Sequence, residues 1–275
     1  MKVKIGLALS SGGAKGFAHI GVIKSLEKND IPIHVISGVS AGSLFGGIYA
    51  SGSSIEEIEE VSYSTGYKEV AQMFWDFSRK IPGGLIVGAK IDNFLNSLLK
   101  NKRIENFPIK FSCMATDLLS GRSVHFIKGP ASLAIRSSCA IPGIFKPIEY
   151  NRKFLVDGGV NEPISFNQVK KLGGNVNIAV DLTPSLSINQ KIKENKKFGI
   201  KDSLYSSYLL MQKRFIDIKF KENKDFLRIK PQVNEIKFLD FGSPKAAKRG
   251  ITEGEKVMDK NIPKLKKMIE IMEKK

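Results

Sequence analysis

Twice near its start the chain runs from an apolar stretch of strand length, through a glycine-rich turn, into a segment with helical spacing. Residues 3–9 form the first stretch. Ser10-Ser11-Gly12-Gly13-Ala14-Lys15-Gly16 is the turn, and Phe17, Ile20, Val22, Ile23 and Leu26 mark the apolar side of a helix over 16–28. Residues 33–36 are the second strand. Gly38-Val39-Ser40-Ala41-Gly42 is its turn, and Leu44, Phe45, Ile48 and Tyr49 lie on the helix over 41–50. Such alternation predicts an α/β fold, a three-layer sandwich with a largely parallel central sheet flanked by helices.

The rhythm continues. Residues 54–99 read as mainly helical, broken at Ile81-Pro82-Gly83-Gly84, with Phe74, Trp75 and Phe77 as an aromatic cluster for the core or a lipid-facing wall. Residues 109–116 and 123–127 predict a hairpin around Ser120-Gly121. A short helix over 133–138 stops at Pro142-Gly143, and a strand over 153–156 ends at Asp157-Gly158-Gly159. A helix over 168–172 and a strand over 176–181 follow, then a polar loop over 182–198. Residues 200–220 read as an amphipathic helix with Leu204, Tyr208, Met211, Phe215 and Ile218 along its apolar side. A last helix is expected over 256–273, interrupted near Pro263.

At 275 residues the chain is expected to form one domain, with a motif-bearing core over about 1–181 and a helical part over about 200–275. No apolar run reaches the roughly 20 residues of a membrane span, and Met1-Lys2-Val3-Lys4 passes into a strand without the apolar region of a signal peptide. Cys113 and Cys139 read as buried free thiols of a reducing compartment; the expected location is cytoplasmic, with peripheral membrane contact. The formal charge of +17 is mostly dispersed lysine, including Lys191, Lys193, Lys196 and Lys197, then Lys264, Lys266, Lys267, Lys274 and Lys275. Without an Arg-rich recognition helix, zinc module or RNP-type aromatics, nucleic acid is not the expected partner. An anionic bilayer suits this charge; so does a plain array of solvated helix faces.

A serine on a sharp strand-to-helix turn is held in a strained backbone conformation with its hydroxyl exposed, which makes Ser40 a candidate nucleophile between Gly38 and Gly42. The first glycine turn points backbone N–H groups into a cavity beside a helix N-terminus, suited to a phosphate or an oxyanion. It fails the P-loop pattern, because Lys15 precedes Gly16 and no hydroxyl residue follows, and it meets the dinucleotide pattern only from its second glycine. Asp157, at a strand end before two glycines, is the third element, placed where the C-terminal edge of a parallel sheet puts functional groups. His19, His34 and His125 all lie outside the usual late position of a hydrolase base. A Ser–Asp pair, with Asp157 taking the proton directly, fits better.

These residues resemble the patatin-like phospholipases, especially bacterial ones. The resemblance runs through Leu7-Ala8-Leu9 to Gly16, Phe17-Ala18-His19-Ile20-Gly21-Val22, Gly38-Val39-Ser40-Ala41-Gly42-Ser43, Ala115-Thr116-Asp117, Ser138-Cys139-Ala140-Ile141-Pro142-Gly143 and Asp157-Gly158-Gly159, in the family's order. It covers roughly the first 170 residues. It implies Ser40 as nucleophile and Asp157 as base, with Gly12, Gly13 and Lys15 at the oxyanion hole and Gly158 and Gly159 in support. It also implies a lipid acyl ester as substrate (phospholipid, lysophospholipid or related) and no metal or cofactor. Two positions depart from the family: Ser11 stands for its first glycine, and Lys15 for its arginine, a point charge without the bidentate fork. A side chain at 11 narrows the loop or shifts its φ, which motivates a rival, a non-hydrolytic lipid- or anion-binding regulator. An acyl transferase is a third reading.

Overall fold

A computed structural model gives the fold; residues 2–74, 88–184 and 199–275 are described. Trp75, Phe77, the break at 81–84, most of the expected loop over 182–198 with its lysines, and the side chain of Phe74 lie outside them. The strands are β1 (Ile5–Leu9), β2 (Ile33–Val39), β3 (Lys110–Asp117), β4 (Ser123–Phe126), β5 (Ile148–Tyr150), β6 (Lys153–Asp157), β7 (Val176–Val180) and β8 (Phe226–Ile229). The helices are α1 (Phe17–Lys28), α2 (Ala41–Ala50), α3 (Ile55–Ser64), α4 (Tyr67–Phe74), α5 (Ala89–Leu98), α6 (Ala131–Ser138), α7 (Phe166–Lys171), α8 (Ile200–Glu222) and α9 (Pro244–Glu273).

The strands form one sheet in the order β5-β6-β3-β2-β1-β7-β8, with β4 on β3 off that path. From β3 to β8 the neighbours are parallel, whereas β4 and β6 run antiparallel to β3, and β5 antiparallel to β6. The sheet is therefore mixed. The pleat sends Ile5, Leu7 and Leu9 into one apolar cluster with α1, α2, α3 and α9, and Ala8 into a second with Phe166, Val169 and Ile216 of α7 and α8. Those two clusters are the inner faces of the three layers.

Five elements differ from expectation. Asp157 ends an antiparallel strand, so its position follows from pairing with β3 rather than from a parallel edge. Strands β5 and β8, which no periodicity announced, extend the sheet at its two ends. In α8 the expected apolar stripe is split: Leu204, Met211 and Ile218 are exposed and Tyr208 and Phe215 half-buried, Phe215 against the second cluster, while Gln212 and Ile216 are buried. The polar Gln212 can turn inward because its amide is hydrogen-bonded on both sides. Helix α9 starts well before residue 256, with Ser243 accepting the Ala246 N–H at 3.2 Å and Pro244 in the first turn. It continues through Pro263. The lost hydrogen bond there is offset by core packing on both sides, from Ile251 and Met258 before it and Ile262 and Leu265 after it.

Candidate active site

Strand β2 delivers Ser40 directly into the first turn of α2. Its φ of 53° and ψ of −119° lie outside the ordinary L-residue regions, a conformation that surrounding bonds must hold. Two residues at the end of α6 supply such bonds, and the next one reaches Asp157. Ser138 Oγ accepts the Ser40 N–H at 2.9 Å, and the Cys139 thiol donates to the Ser40 carbonyl at 3.3 Å. The Ala140 carbonyl accepts the Asp157 N–H at 2.8 Å. One short segment thus fastens both candidate groups. The turn tolerates no side chain at Gly42, where a Cβ would stand 2.2 Å from the Leu9 carbonyl oxygen. Gly38 lies in β2 against the Gly42 carbonyl, and Gly158 packs on the Met114 carbonyl.

Register explains how Ser40 and Asp157 meet. Val39 pairs with Met114, so Ser40 comes level with Ala115, and Asp157 pairs with Ala115 from the other side of β3. Two strand spacings, about 10 Å between backbones, separate them, and their side chains approach closely enough across β3 for the Ser40 hydroxyl to lower the Asp157 pKa. The Gly159 N–H donates to Asp157 Oδ1 at 2.7 Å. Asp157 is buried, and loss of water pushes its pKa from 3.8 up to about 6, with the Ser40 hydroxyl and the Gly159 N–H opposing the rise.

The first glycine turn lies at the end of β1, next to this pair. Ser11 N–H donates to Pro163 O at 2.9 Å and Ala14 N–H to Phe238 O at 2.9 Å. Between them, the N–H groups of Gly12 and Gly13 meet no acceptor among the described residues. Gly13 has φ 58°, and a Cβ there would stand 2.5 Å from the Phe238 carbonyl oxygen, so only glycine fits. Ser11 is not among the residues at positive φ, so its side chain leaves the loop unstrained. Lys15 is 7% exposed, held by burial below the usual lysine pKa, and is not among the residues that line the adjoining cavity.

That cavity has a volume of about 420 Å³ and contains both Ser40 and Gly13. Its walls are largely apolar, with Phe17, Leu44, Phe45, Ile58, Leu95 and Phe145 among them. Ile58 belongs to α3 and Leu95 to α5, so the helical segment after α2 forms part of this wall. Leu239 and Phe241, just before α9, complete the described part of it.

None of the three histidines hydrogen-bonds Ser40. His19 is fully buried, and its Nε2 donates to the Ser10 carbonyl at 2.9 Å; burial drives its pKa down to about 4. His34 Nδ1 accepts the Ile5 N–H at 3.1 Å. His125 lies in β4 opposite Met114. Sequence reasoning did not assign roles to Ser138, Cys139 or Gln212. Ser138 and Cys139 belong to a stretch that resembles the family, whereas nothing in the sequence marks out one glutamine on a 23-residue helix.

A family model described as patatin-like phospholipase matches residues 7–169. An uncharacterised NTE family protein of Mycobacterium tuberculosis is 36% identical over 182 residues, covering 66% of this chain and 50% of that protein. Lysophospholipase NTE1 of Candida albicans is 33% identical over 180 residues, 65% of this chain and 13% of that one. The chain thus spans half or less of these curated relatives. Among solved structures, VipD from Legionella pneumophila superposes with a TM-score of 0.51 at 13% identity, over 94% of this chain and 67% of that one. The type III effector protein ExoU does so with a TM-score of 0.50 at 12% identity, over 96% and 53%.

Proposed function

The chain belongs to the patatin-like phospholipase family, and on that premise we propose that it hydrolyses lipid acyl esters through Ser40 and Asp157. The observation that carries this reading is a strained, cavity-lining serine brought by strand register to the opposite side of Ala115 from a buried carboxylate. Ser40 Oγ attacks the ester carbonyl carbon while its proton passes to Asp157. The N–H groups of Gly12 and Gly13 receive the oxyanion; losing one such donor typically costs about 10²–10³ in rate. The carbon–oxygen bond to the alcohol then breaks, Asp157 returns the proton to the leaving oxygen, and an acyl-Ser40 remains. Water, deprotonated by the same carboxylate, then attacks the acyl carbon; the bond to Ser40 Oγ breaks, Oγ takes the proton back from Asp157, and the fatty acid leaves. The apolar cavity beside Ser40 suits one acyl chain, in line with the name lysophospholipase carried by a relative.

The rival reading, a non-hydrolytic binder, drew on Ser11 and Lys15. No positive φ at Ser11 and no blocked N–H at Gly12 or Gly13 favours it. An active-site-directed fluorophosphonate separates the two. Labelling at Ser40, together with fatty acid release from a lipid panel detected by mass, is the expected result. Tight lipid binding with neither labelling nor release would leave a binder.

The charge points to where such lipids are met. Helix α9 starts just after Leu239 and Phe241 of the cavity wall, and its 30 residues extend about 45 Å. Lys245, Lys248, Lys256, Lys260, Lys264 and Lys267 are all exposed and share one side of it. No described helix is long and apolar enough to cross a membrane, so the contact proposed is peripheral. At about 1 kcal/mol per surface lysine, changing Lys256, Lys260, Lys264 and Lys267 to Gln is expected to weaken binding to phosphatidylglycerol vesicles by roughly 10²–10³-fold. Hydrolysis of a water-soluble ester should be unchanged. Vesicle binding indifferent to salt and to these substitutions would remove the bilayer from the account.

A further inference from the structure

The two turns of the candidate site are joined by a side chain from neither. Ser11 Oγ donates to Gln212 Oε1 at 3.3 Å, and Gln212 Nε2 donates to the Gly159 carbonyl at 3.0 Å. Ser11 is 6% exposed and Gln212 7%. The Gln212 amide lies tight against the Asp157 turn: a Cβ on Gly159 would stand 2.4 Å from Gln212 Nε2 and 3.0 Å from Asp157 Oδ1. The segment of α8 that carries it is itself pinned to the sheet. Arg228 of β8 pairs with buried Asp181 at 2.6 Å and with Asp217 of α8 at 2.9 Å, and Lys213 pairs with the same Asp217.

We propose that Gln212 is a positioning residue, a strap that holds the glycine turn and the Asp157 turn at a fixed separation, with Ser11 as its anchor on the glycine side. This rests on the hydrolytic reading of Ser40 and Asp157. A primary amide is suited to the place because it accepts from one turn and donates to the other. Hydrolysis needs both turns at once, since one presents the N–H groups for the oxyanion and the other the carboxylate. A displacement of about 1 Å between such groups typically costs on the order of 10²-fold in rate. The serine at 11 therefore gives the loop a hydrogen bond to α8 that glycine would lack.

Three substitutions separate positioning from mere packing. Gln212→Met keeps length and volume but neither hydrogen bond; kcat for a soluble ester should fall roughly 10–100-fold with KM little changed. Ser11→Ala should lower kcat by itself yet add nothing in the Gln212→Met background, because the bond is already gone. Gln212→Glu keeps an acceptor for Ser11 and puts a negative charge beside Asp157. The titratable groups at the Asp157 turn among the described residues are the Cys139 thiol, pushed up to about 12 by burial and so neutral, and the Tyr208 phenol of α8, which a Cβ on Gly159 would meet at 2.8 Å. The new charge should therefore move the acid limb of kcat/KM to higher pH. Additive losses for Ser11→Ala and Gln212→Met, or an unmoved acid limb in Gln212→Glu, overturn the strap. Wild-type protein that neither hydrolyses ester nor takes fluorophosphonate at Ser40 overturns the hydrolytic reading and the strap with it. Active wild type with variants of equal kcat overturns the strap alone.

Discussion

Ser40→Ala is expected to lower turnover of a short-chain p-nitrophenyl ester by roughly 10⁴–10⁶-fold, the scale on which hydrolases lose activity with their nucleophile, while the protein stays folded. The loss follows because no other hydroxyl stands in its place: Ser43 Oγ donates to the Ser40 carbonyl at 2.6 Å, and Ser138 Oγ accepts the Ser40 N–H. The fold survives because the bonds from Ser138, Cys139 and Ser43 grip the backbone of residue 40 and not its hydroxyl. An alanine at φ 53° carries the strain a serine does. The thermal midpoint should therefore move little, and fluorophosphonate labelling should disappear. Full turnover by a folded Ser40→Ala protein would end the proposed mechanism.

Asp157→Asn should lower turnover by about 10⁴-fold and, unusually for a buried active-site change, stabilise the protein at neutral pH. Asn keeps an oxygen to accept from the Gly159 N–H, so the turn persists while the proton acceptor is gone. The stability gain is a matter of linkage. The folded carboxyl is raised from 3.8 to about 6, so between those values the folded state binds more protons than the unfolded chain, and stability falls as pH rises through them. Above pH 6 the ionised, buried Asp157 costs about 3 kcal/mol that Asn does not carry. The variant should melt roughly 5–10 °C above wild type at pH 7.5, with the difference vanishing near pH 4. For wild type, the same raised value places the acid limb of kcat/KM near pH 6. A variant that melts below wild type at pH 7.5, or a wild-type acid limb near pH 4, would show that Asp157 is not the strained base drawn here.

The local parts of this fold could be read from the chain because they are made by neighbours. The turn at Ser40 is framed by Gly38 and Gly42 and closed by the Ser43 N–H on its own carbonyl at 2.8 Å. The two strand–turn–helix units show themselves in hydrophobic spacing. The helix over 200–222 was also visible, but not which side of it faces in. There, exposed Leu204 and Met211 and buried Gln212 reverse what hydropathy suggests, because a satisfied amide competes with apolar side chains for the inner face.

What the sequence determined by itself was the alternation of strand and helix, the strained serine between two glycines, and a carboxylate at a strand end: features set within a few residues by sterics and side-chain period. The tertiary structure alone decided that Ala115 lies between Ser40 and Asp157, that β6 runs antiparallel, and that Ser138 and Gln212 complete the site from 98 and 201 positions away. Hydrogen bonds over such distances leave no periodic trace in a chain. They exist because strand register and helix docking bring the partners together, and those are settled only when the whole apolar core closes.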